Sequence, residues 1–130
     1  MNNLDRLVGV NVFGWSIVTD SDGEPIWSND CGTPLAFQYA SAPVKFGPNF
    51  STEIAAAWEV VEHLRTRKED PMVITMLDND DGEYVIAFAT RADRWTTREL
   101  GKNRDAPMAI CLAALKAFGV SESEIQEAMR

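Results

Sequence analysis

Apolar residues recur at helical spacing in several stretches of the chain. Residues 3–13, 52–68 and 106–118 each place apolar side chains three or four positions apart, which predicts helices with a buried face. A fourth helix is predicted to start at Ser121, which Glu124 follows at the spacing of a capping box. The buried stripe predicted for the second helix consists of Ile54, Ala57, Trp58, Val61 and Leu64.

The ends of these helices carry residues that typically begin or stop a helix. Ser51 or Thr52 is suited to cap the second helix, and Asp105 the third, because their side chains accept hydrogen bonds from free backbone N–H groups. Gly119 is suited to end the third helix, since glycine adopts the left-handed conformation found after helix C-termini. Lys116 is the only charged side chain of this helix, which predicts that the helix is largely buried.

Two stretches between the helices predict β-hairpins. Residues 15–28 contain two short strands around the turn 20–23, and residues 72–90 contain two longer strands around the turn 78–82. Asp, Asn and Gly favour such turns. Both strands of the second hairpin are almost continuously apolar, so we expect helices on both faces of the sheet. Residues 29–50 are predicted to form a long loop with at most one short strand.

Composition limits the class of protein. The 130 residues are expected to form one domain spanning residues 1–130, and 45% of them are apolar, which suffices for a core without metal or disulfide support. The 20 acidic and 12 basic side chains give a net charge of -8, which disfavours binding to long nucleic acids. With neither a secretion signal nor a membrane span in the sequence, we expect a cytoplasmic protein that does not bind membranes. Cys31 and Cys111 are accordingly expected to be free thiols.

One segment departs from the acidic balance. Residues 91–104 carry five basic and two acidic side chains, a net charge of +3, whereas the other 116 residues carry seven basic and 18 acidic side chains, a net charge of -11. Arginine binds phosphate through paired hydrogen bonds, and a tryptophan ring can stack on a base. The segment therefore suits a small phosphorylated ligand; a solvated loop whose arginines pair with surface acids is the alternative. The predicted ligand-binding residues are Arg91, Arg94, Trp95, Arg98 and Arg104, together with Ser51 and Thr52 at a helix start.

Other candidate sites fail on spacing. The acidic turn 78–82 lacks the glycine and glutamate positions of an EF-hand calcium loop. His63, the only histidine, lies in mid-helix without an orienting partner nearby in the sequence, which favours a structural role. Trp15 and Trp27 are predicted to face each other across the first hairpin. No catalytic residue, metal site or cofactor is predicted.

Three blocks of the sequence carry a family resemblance. They are the first helix running into residues 12–15 (VFGW), residues 48–62 (PNFSTEIAAAWEVVE) and residues 106–117 (APMAICLAALKA). With these blocks the chain resembles the phage ABA sandwich domain family of small phage and prophage proteins. Mild departures from the residues more usual in the family occur at Phe13, Phe50, Glu53 and Met108.

The resemblance implies an α+β fold arranged as a three-layer α/β/α sandwich. The sheet is expected to be mainly antiparallel, with about four strands and with helices on both faces. The resemblance also implies a phage or prophage origin, and it supplies no catalytic residues. The segment 91–104 looks longer than the corresponding segment of the family, so the resemblance assigns these residues no role. Small accessory phage proteins often act against bacterial defence, but that is an association, because a fold does not fix a function.

Two functions are expected from these features. The first is non-enzymatic sequestration of a nucleotide-like anion, such as a cyclic nucleotide or an ADP-ribose derivative, by a homo-oligomer that counters host defence signalling in the bacterial cytoplasm. The second is a protein–protein inhibitor whose acidic surface mimics nucleic-acid charge towards a host defence protein. An enzyme ranks third, because the sequence shows no base or metal site for catalysis.

Overall fold

A computed structural model describes residues 3–19, 21–23, 25–29, 37–39, 42–44, 48–69, 71–78, 82–90 and 99–130. These residues form four helices, α1 (Asn3–Asn11), α2 (Ile54–Arg65), α3 (Ala106–Ala117) and α4 (Glu122–Ala128). They also form seven strands, β1 (Ser16–Thr19), β2 (Pro25–Ser28), β3 (Phe37–Tyr39), β4 (Ala42–Val44), β5 (Met72–Asp78), β6 (Tyr84–Thr90) and β7 (Glu99–Asn103).

The described strands pair antiparallel in three groups: β1 with β2, β3 with β4, and β5, β6 and β7 in that order. In the largest sheet Ile74 lies opposite Phe88, and Ile86 lies between Met76 on β5 and Gly101 on β7. Side chains alternate across a strand, so these five residues share one face of the sheet. Ile86 and Phe88 on this face are buried in the hydrophobic core.

Helix α3 is the centre of the core. Residues 109–115 are all buried, which agrees with the burial predicted from its single charged side chain. The helix packs on β6 and β7, and it also contacts α1, α2 and α4. The three-stranded sheet and the other three helices therefore all pack against α3.

The closest packing occurs where α3 crosses β7. A Cβ atom added at Gly101 would collide with the carbonyl oxygen of Ala109 and the backbone nitrogen of Ala113. Helix and strand therefore touch through their backbones. Neither backbone can give way without moving its whole element, so this position requires glycine.

The first hairpin packs on α1 through Trp27 of β2. A Cβ atom added at Gly9 of α1 would lie 2.6 Å from the Trp27 indole, so the ring covers the helix at its glycine. Trp15 contacts the same indole with ring centroids 5.8 Å apart, which confirms the predicted contact. The register places Ile17 directly opposite Trp27, so the two tryptophans are diagonal neighbours.

The structure confirms the predicted α+β class, the helices and both hairpins, and its layering of helices on an antiparallel sheet is consistent with the predicted sandwich. The largest described sheet has three strands where about four were predicted. Gly119 follows α3 with a φ of 81°, as predicted for a helix end. The Ser121 hydroxyl accepts a hydrogen bond from the Glu124 backbone N–H at 3.2 Å, as the capping box predicts.

The stripe predicted to be buried on α2 is partly wrong. Ile54 and Trp58 are exposed, although the other three predicted positions are buried. The core side of the helix is completed instead by small or branched residues at neighbouring positions. The buried residues of α2 are Ala56, Ala57, Val60, Val61 and Leu64.

Two of the predicted helix caps are also wrong. Glu53 occupies the N-cap position of α2 without a side-chain capping bond, so neither Ser51 nor Thr52 caps that helix. Asp105 occupies the N-cap position of α3, and its side chain likewise makes no capping bond. Both helices begin without a side-chain cap, and helix propensity and core packing stabilise them instead.

Two strands form where the sequence indicated loops. β7 lies within the basic segment, and β4 lies within the predicted long loop, where β3 matches the short strand expected there. Cys111 is a buried free thiol, as predicted, and burial raises the pKa of that thiol well above its usual value. Cys31 lies outside the described residues.

Candidate functional site

Five of the seven predicted ligand-binding residues flank strand β7 in the sequence. Arg91, Arg94, Trp95 and Arg98 lie outside the described residues, in the connection between the end of β6 and the start of β7. Arg104 follows the other end of β7 and is exposed. β7 is about 16 Å long at ~3.3 Å per residue, so Arg104 lies at the opposite end of the strand from its first residue, Glu99.

Ser51 and Thr52 differ in what they offer a ligand. The Ser51 backbone N–H donates a hydrogen bond of 2.8 Å to Oδ1 of Asp5, and both residues are buried. Burial raises the pKa of the Asp5 carboxyl above its usual value, against hydrogen bonds from the Ser51 backbone and side chain that lower it. Ser51 thus ties the start of α2 to α1, whereas Thr52 is exposed.

A cleft of about 300 Å³ opens beside the described end of the basic segment. It is bounded by the end of β7, the C-terminal half of α3 and one side of α4. Leu112 and Lys116 lie one turn apart on α3, and Glu122 and Gln126 lie one turn apart on α4, so one face of each helix lines the cleft. The lining residues are Lys102, Asn103, Leu112, Lys116, Glu122, Gln126 and Met129.

Donor groups in this cleft converge on one carboxylate. Lys116 Nζ lies 3.4 Å from Glu122 Oε2, and Gln126 Nε2 donates to Glu122 Oε1 at 3.2 Å. The Gln126 hydrogen bond, followed by the charge of Lys116, lowers the pKa of the Glu122 carboxyl below its usual value. The cleft therefore already holds an anion supplied by the chain itself.

Lys102 adds a second positive charge at the rim. Its side chain is exposed and makes no ion pair within the described part of the chain. Asn103 Oδ1 accepts the Asp105 backbone N–H at 2.9 Å, which leaves the Asn103 amide nitrogen to donate elsewhere. Lysine and amide donors around a small cavity can bind a phosphate or a carboxylate.

The sequence pointed to only part of this cleft. Nothing in the sequence distinguishes Lys102 from the other basic residues of its segment, and Lys116 is distinctive only as the sole charge of a buried helix. Gln126 and Met129 carried no signal, because their position depends on how α4 packs against α3. The cleft joins residues that are up to 27 positions apart in the sequence.

A second cleft, of about 550 Å³, lies between α1 and α4. Arg6 is its basic residue, and Glu124 and Glu127 line it too. The two carboxylates would repel an anion, so this cleft is less suited to a phosphorylated ligand than the first.

His63 lies in an aromatic cluster and not in either cleft. Its ring centroid is 4.5 Å from that of Phe13, which stacks on Trp15 and Phe50. Burial lowers the pKa of His63, with a hydrogen bond to the Val12 backbone acting in the opposite direction. The histidine therefore has the structural setting that the sequence favoured.

Across the described part of the chain, no three His, Cys, Asp or Glu side chains come together as a metal site requires. No helix there has the length and apolar character needed to cross a bilayer.

The sequence from Arg6 to Leu115 matches the family model of the phage ABA sandwich domain. The chain belongs to this phage family. No curated protein and no solved structure matches it at a significant level. The phage ABA sandwich match covers α2, most of α1 and α3 and the whole of β7, whereas Lys116, near the end of α3, and α4 follow its last residue. The first cleft is thus built partly from the family domain and partly from the segment after it.

Proposed function

We propose that this phage ABA sandwich protein binds a small phosphorylated ligand without transforming it, and so sequesters a nucleotide-like signal of host defence in the bacterial cytoplasm. The observation that carries the proposal is the cleft at the end of β7, where two lysines meet in a chain of net charge -8. The proposed ligand class is cyclic nucleotides and ADP-ribose derivatives.

The charge distribution supports this ligand class. Lys102 belongs to the segment of net charge +3, and Lys116 brings a second lysine from α3 to the same cleft. A long nucleic acid would also meet the acidic remainder of the surface, whereas a small ligand would meet mainly the basic end. A volume of about 300 Å³ lies at the lower limit of small-molecule sites.

The remaining predicted residues complete the proposal. Arg91, Arg94 and Arg98 would bind phosphate groups, and Trp95 would stack on a base. Thr52 could donate a further hydrogen bond. Ser51 is better assigned to its bond with Asp5 than to a ligand.

A thermal-shift screen of the full chain tests the proposal. The ligands are ADP-ribose, cyclic mononucleotides and cyclic dinucleotides, with uncharged adenosine as the matched control. Binding at 100 times Kd adds about 2.7 kcal/mol of stability, so a bound ligand should raise Tm clearly. Recovery of the unchanged ligand after heat denaturation would support sequestration over catalysis. No shift with any phosphorylated ligand at millimolar concentration, or an equal shift with adenosine, would contradict the proposal.

The acidic remainder of the surface supports a second candidate, an inhibitor that occupies the basic site of a host defence protein. α4 alone presents three exposed glutamates, Glu122, Glu124 and Glu127. Such binding would rest on charge, so capture of host proteins should fall steeply as salt rises. Capture that does not change with salt would count against this candidate.

A further inference from the structure

The larger of the two clefts, between α1 and α4, has no role in the proposed function. Its volume is about 550 Å³, and none of its lining residues also lines the cleft at the end of β7. The lining is mainly apolar and includes Leu7 of α1 and Ala128 of α4, which are both partly buried against the core. Small-molecule sites combine an apolar lining of this kind with a few charged or polar groups.

The apolar surface continues along α1 beyond the cleft. Val10 lies one turn after Arg6 and three residues after Leu7, so it shares their side of the helix. The Val10 side chain is 45% exposed, although the rest of the α1 apolar residues are buried or half-buried. A ligand that extends from the cleft along α1 would therefore cover a further apolar side chain.

Opposite charges stand on the two walls of this cleft. α1 supplies Arg6, and α4 supplies Glu124 and Glu127. Glu127 is paired with Arg130 at 3.3 Å. Arg6 and Glu124 are exposed, and neither makes an ion pair within the described part of the chain. Arg6 and Glu124 thus line one cleft without neutralising each other.

A ligand that carries both charges matches this arrangement. Its carboxylate would bind the Arg6 guanidinium through paired hydrogen bonds, and its ammonium group would bind the Glu124 carboxylate. The two glutamates would repel a ligand with only negative charge, and Arg6 would repel one with only positive charge. Exposed ion pairs bind weakly, so an apolar body that covers Leu7 and Ala128 would supply the rest of the affinity.

We propose that the cleft between α1 and α4 binds an apolar amino acid zwitterion, free or as a short peptide, with its carboxylate on Arg6 and its amino group on Glu124. Free amino acids and short peptides share this chemistry, since both carry one ammonium and one carboxylate group. The proposal does not rest on the phosphorylated ligand, because the two clefts have no residue in common.

Calorimetric titration of the full chain with L-leucine and with the dipeptide and tripeptide of leucine tests the site. N-acetyl-leucine amide is the matched control ligand, because it keeps the apolar body and lacks both charges. The native chain should bind at least one of the three zwitterions. It should bind the blocked compound about tenfold more weakly, which is the combined scale of two exposed ion pairs.

Variants of the two charged residues test how the ligand is held. Arg6→Gln and Glu124→Gln should each weaken binding of the zwitterion about threefold, the scale of one exposed ion pair. Lys68→Gln and Glu59→Gln are the matched controls, because both residues are exposed and neither lines the cleft. The controls should bind like the native chain, and far-UV circular dichroism of each variant checks that the fold is kept.

Val10→Ser distinguishes the two sources of the ligand. Val10 lies about 5 Å along α1 from Arg6, so a single amino acid held at Arg6 and Glu124 would not need it. Weaker binding of the tripeptide with unchanged binding of leucine identifies peptides as the ligand. Unchanged binding of every zwitterion identifies free amino acids.

Three results would overturn the proposal. The first is a native chain that binds none of the three zwitterions at millimolar concentration. The second is equal affinity for the zwitterions and for N-acetyl-leucine amide, since the charges would then have no role. The third is native affinity in both Arg6→Gln and Glu124→Gln, or a loss of the same size in Lys68→Gln and Glu59→Gln.

Discussion

Strand β7 contacts the rest of the molecule in two different ways, at Gly101 and at the cleft that follows it. At Gly101 the strand meets α3 backbone to backbone, with no side chain between them. One and two residues later, Lys102 and Asn103 line an open cleft together with side chains of α3 and α4. Thus a rigid contact positions the strand, and adaptable polar side chains next to it face solvent.

This difference separates substitutions that should affect folding from those that should affect binding. The packed region also includes α1, where the buried Asp5 carboxylate holds Ser51 and its charge acts on Cys111 of α3. The polar side chains of the cleft are exposed or half-exposed, and the ion pair that they form between Lys116 and Glu122 is of a kind that stabilises a fold little. Changes in the two regions should therefore have different consequences.

Gly101→Ala should give the largest effect. Its methyl group would strike the backbone of α3, which cannot rotate away, so we expect about 3 kcal/mol of destabilisation or more. Gly9→Ala is the comparison, because its methyl group meets the buried Trp27 side chain and not a backbone, and alanine favours the helix, so we expect a smaller loss. Urea denaturation of both variants measures the difference. Unchanged stability in Gly101→Ala would show that α3 does not rest on the β7 backbone.

Asp5→Ala should cause the next largest loss of stability. It leaves the buried Ser51 N–H without its acceptor, which costs about 1–3 kcal/mol. Asp5→Asn keeps an oxygen that accepts this N–H and removes the charge, so it should be milder at neutral pH. Thermal unfolding at fixed pH gives the comparison.

The pH dependence of stability tests the same buried carboxyl. Because its folded pKa is raised above the usual 3.8, Asp5 favours the folded state fully below pH 3.8, and this contribution is lost as pH rises through the raised pKa. Stability of the native chain relative to Asp5→Asn should thus fall as pH increases across that window. A difference that stays constant with pH would mean that Asp5 is not desolvated.

Glu122→Gln should have a smaller effect, and on binding only. It releases Lys116 from its ion pair, so affinity for a phosphorylated ligand should rise about threefold, the scale of an exposed pair. Glu127→Gln is the control, because Glu127 pairs with Arg130 and does not line the cleft. Fluorescence titration of both variants with ADP-ribose measures the change. A loss of affinity in Glu122→Gln would mean that Glu122 contacts the ligand itself.

Much of the fold could be predicted because local signals and tertiary packing agree. The hairpin turns carry Gly23 and Gly82 with positive φ, and α3 is apolar on all sides as its sequence indicates. β7 was missed because its residues ELGKN have neither alternation nor β-branched side chains. Its strand conformation follows from pairing with β6 and from the contact of Gly101 with α3.

The candidate site was less predictable for a related reason. On α2 the apolar residues cover more than half of the helix, so periodicity alone could not tell whether Ala56 and Val60 or Ile54 and Trp58 faced the core. The cleft depends on the packing of α4 against α3, which brings Gln126 to Lys116. The excess of basic residues in segment 91–104 indicates the β7 end of the cleft, but it does not indicate the residues of α3 and α4 that line the rest.

Calorimetric titration with ADP-ribose and a cyclic dinucleotide tests the central claim most directly. The native chain should bind at least one of them. The Lys102→Ala/Lys116→Ala variant should bind it at least about tenfold more weakly, with its stability changed by less than about 0.5 kcal/mol per site. Arg6→Ala, in the cleft between α1 and α4, should bind like the native chain. Equal affinity in the native chain and the double-lysine variant, or no binding by the native chain, would contradict a ligand site at the end of β7.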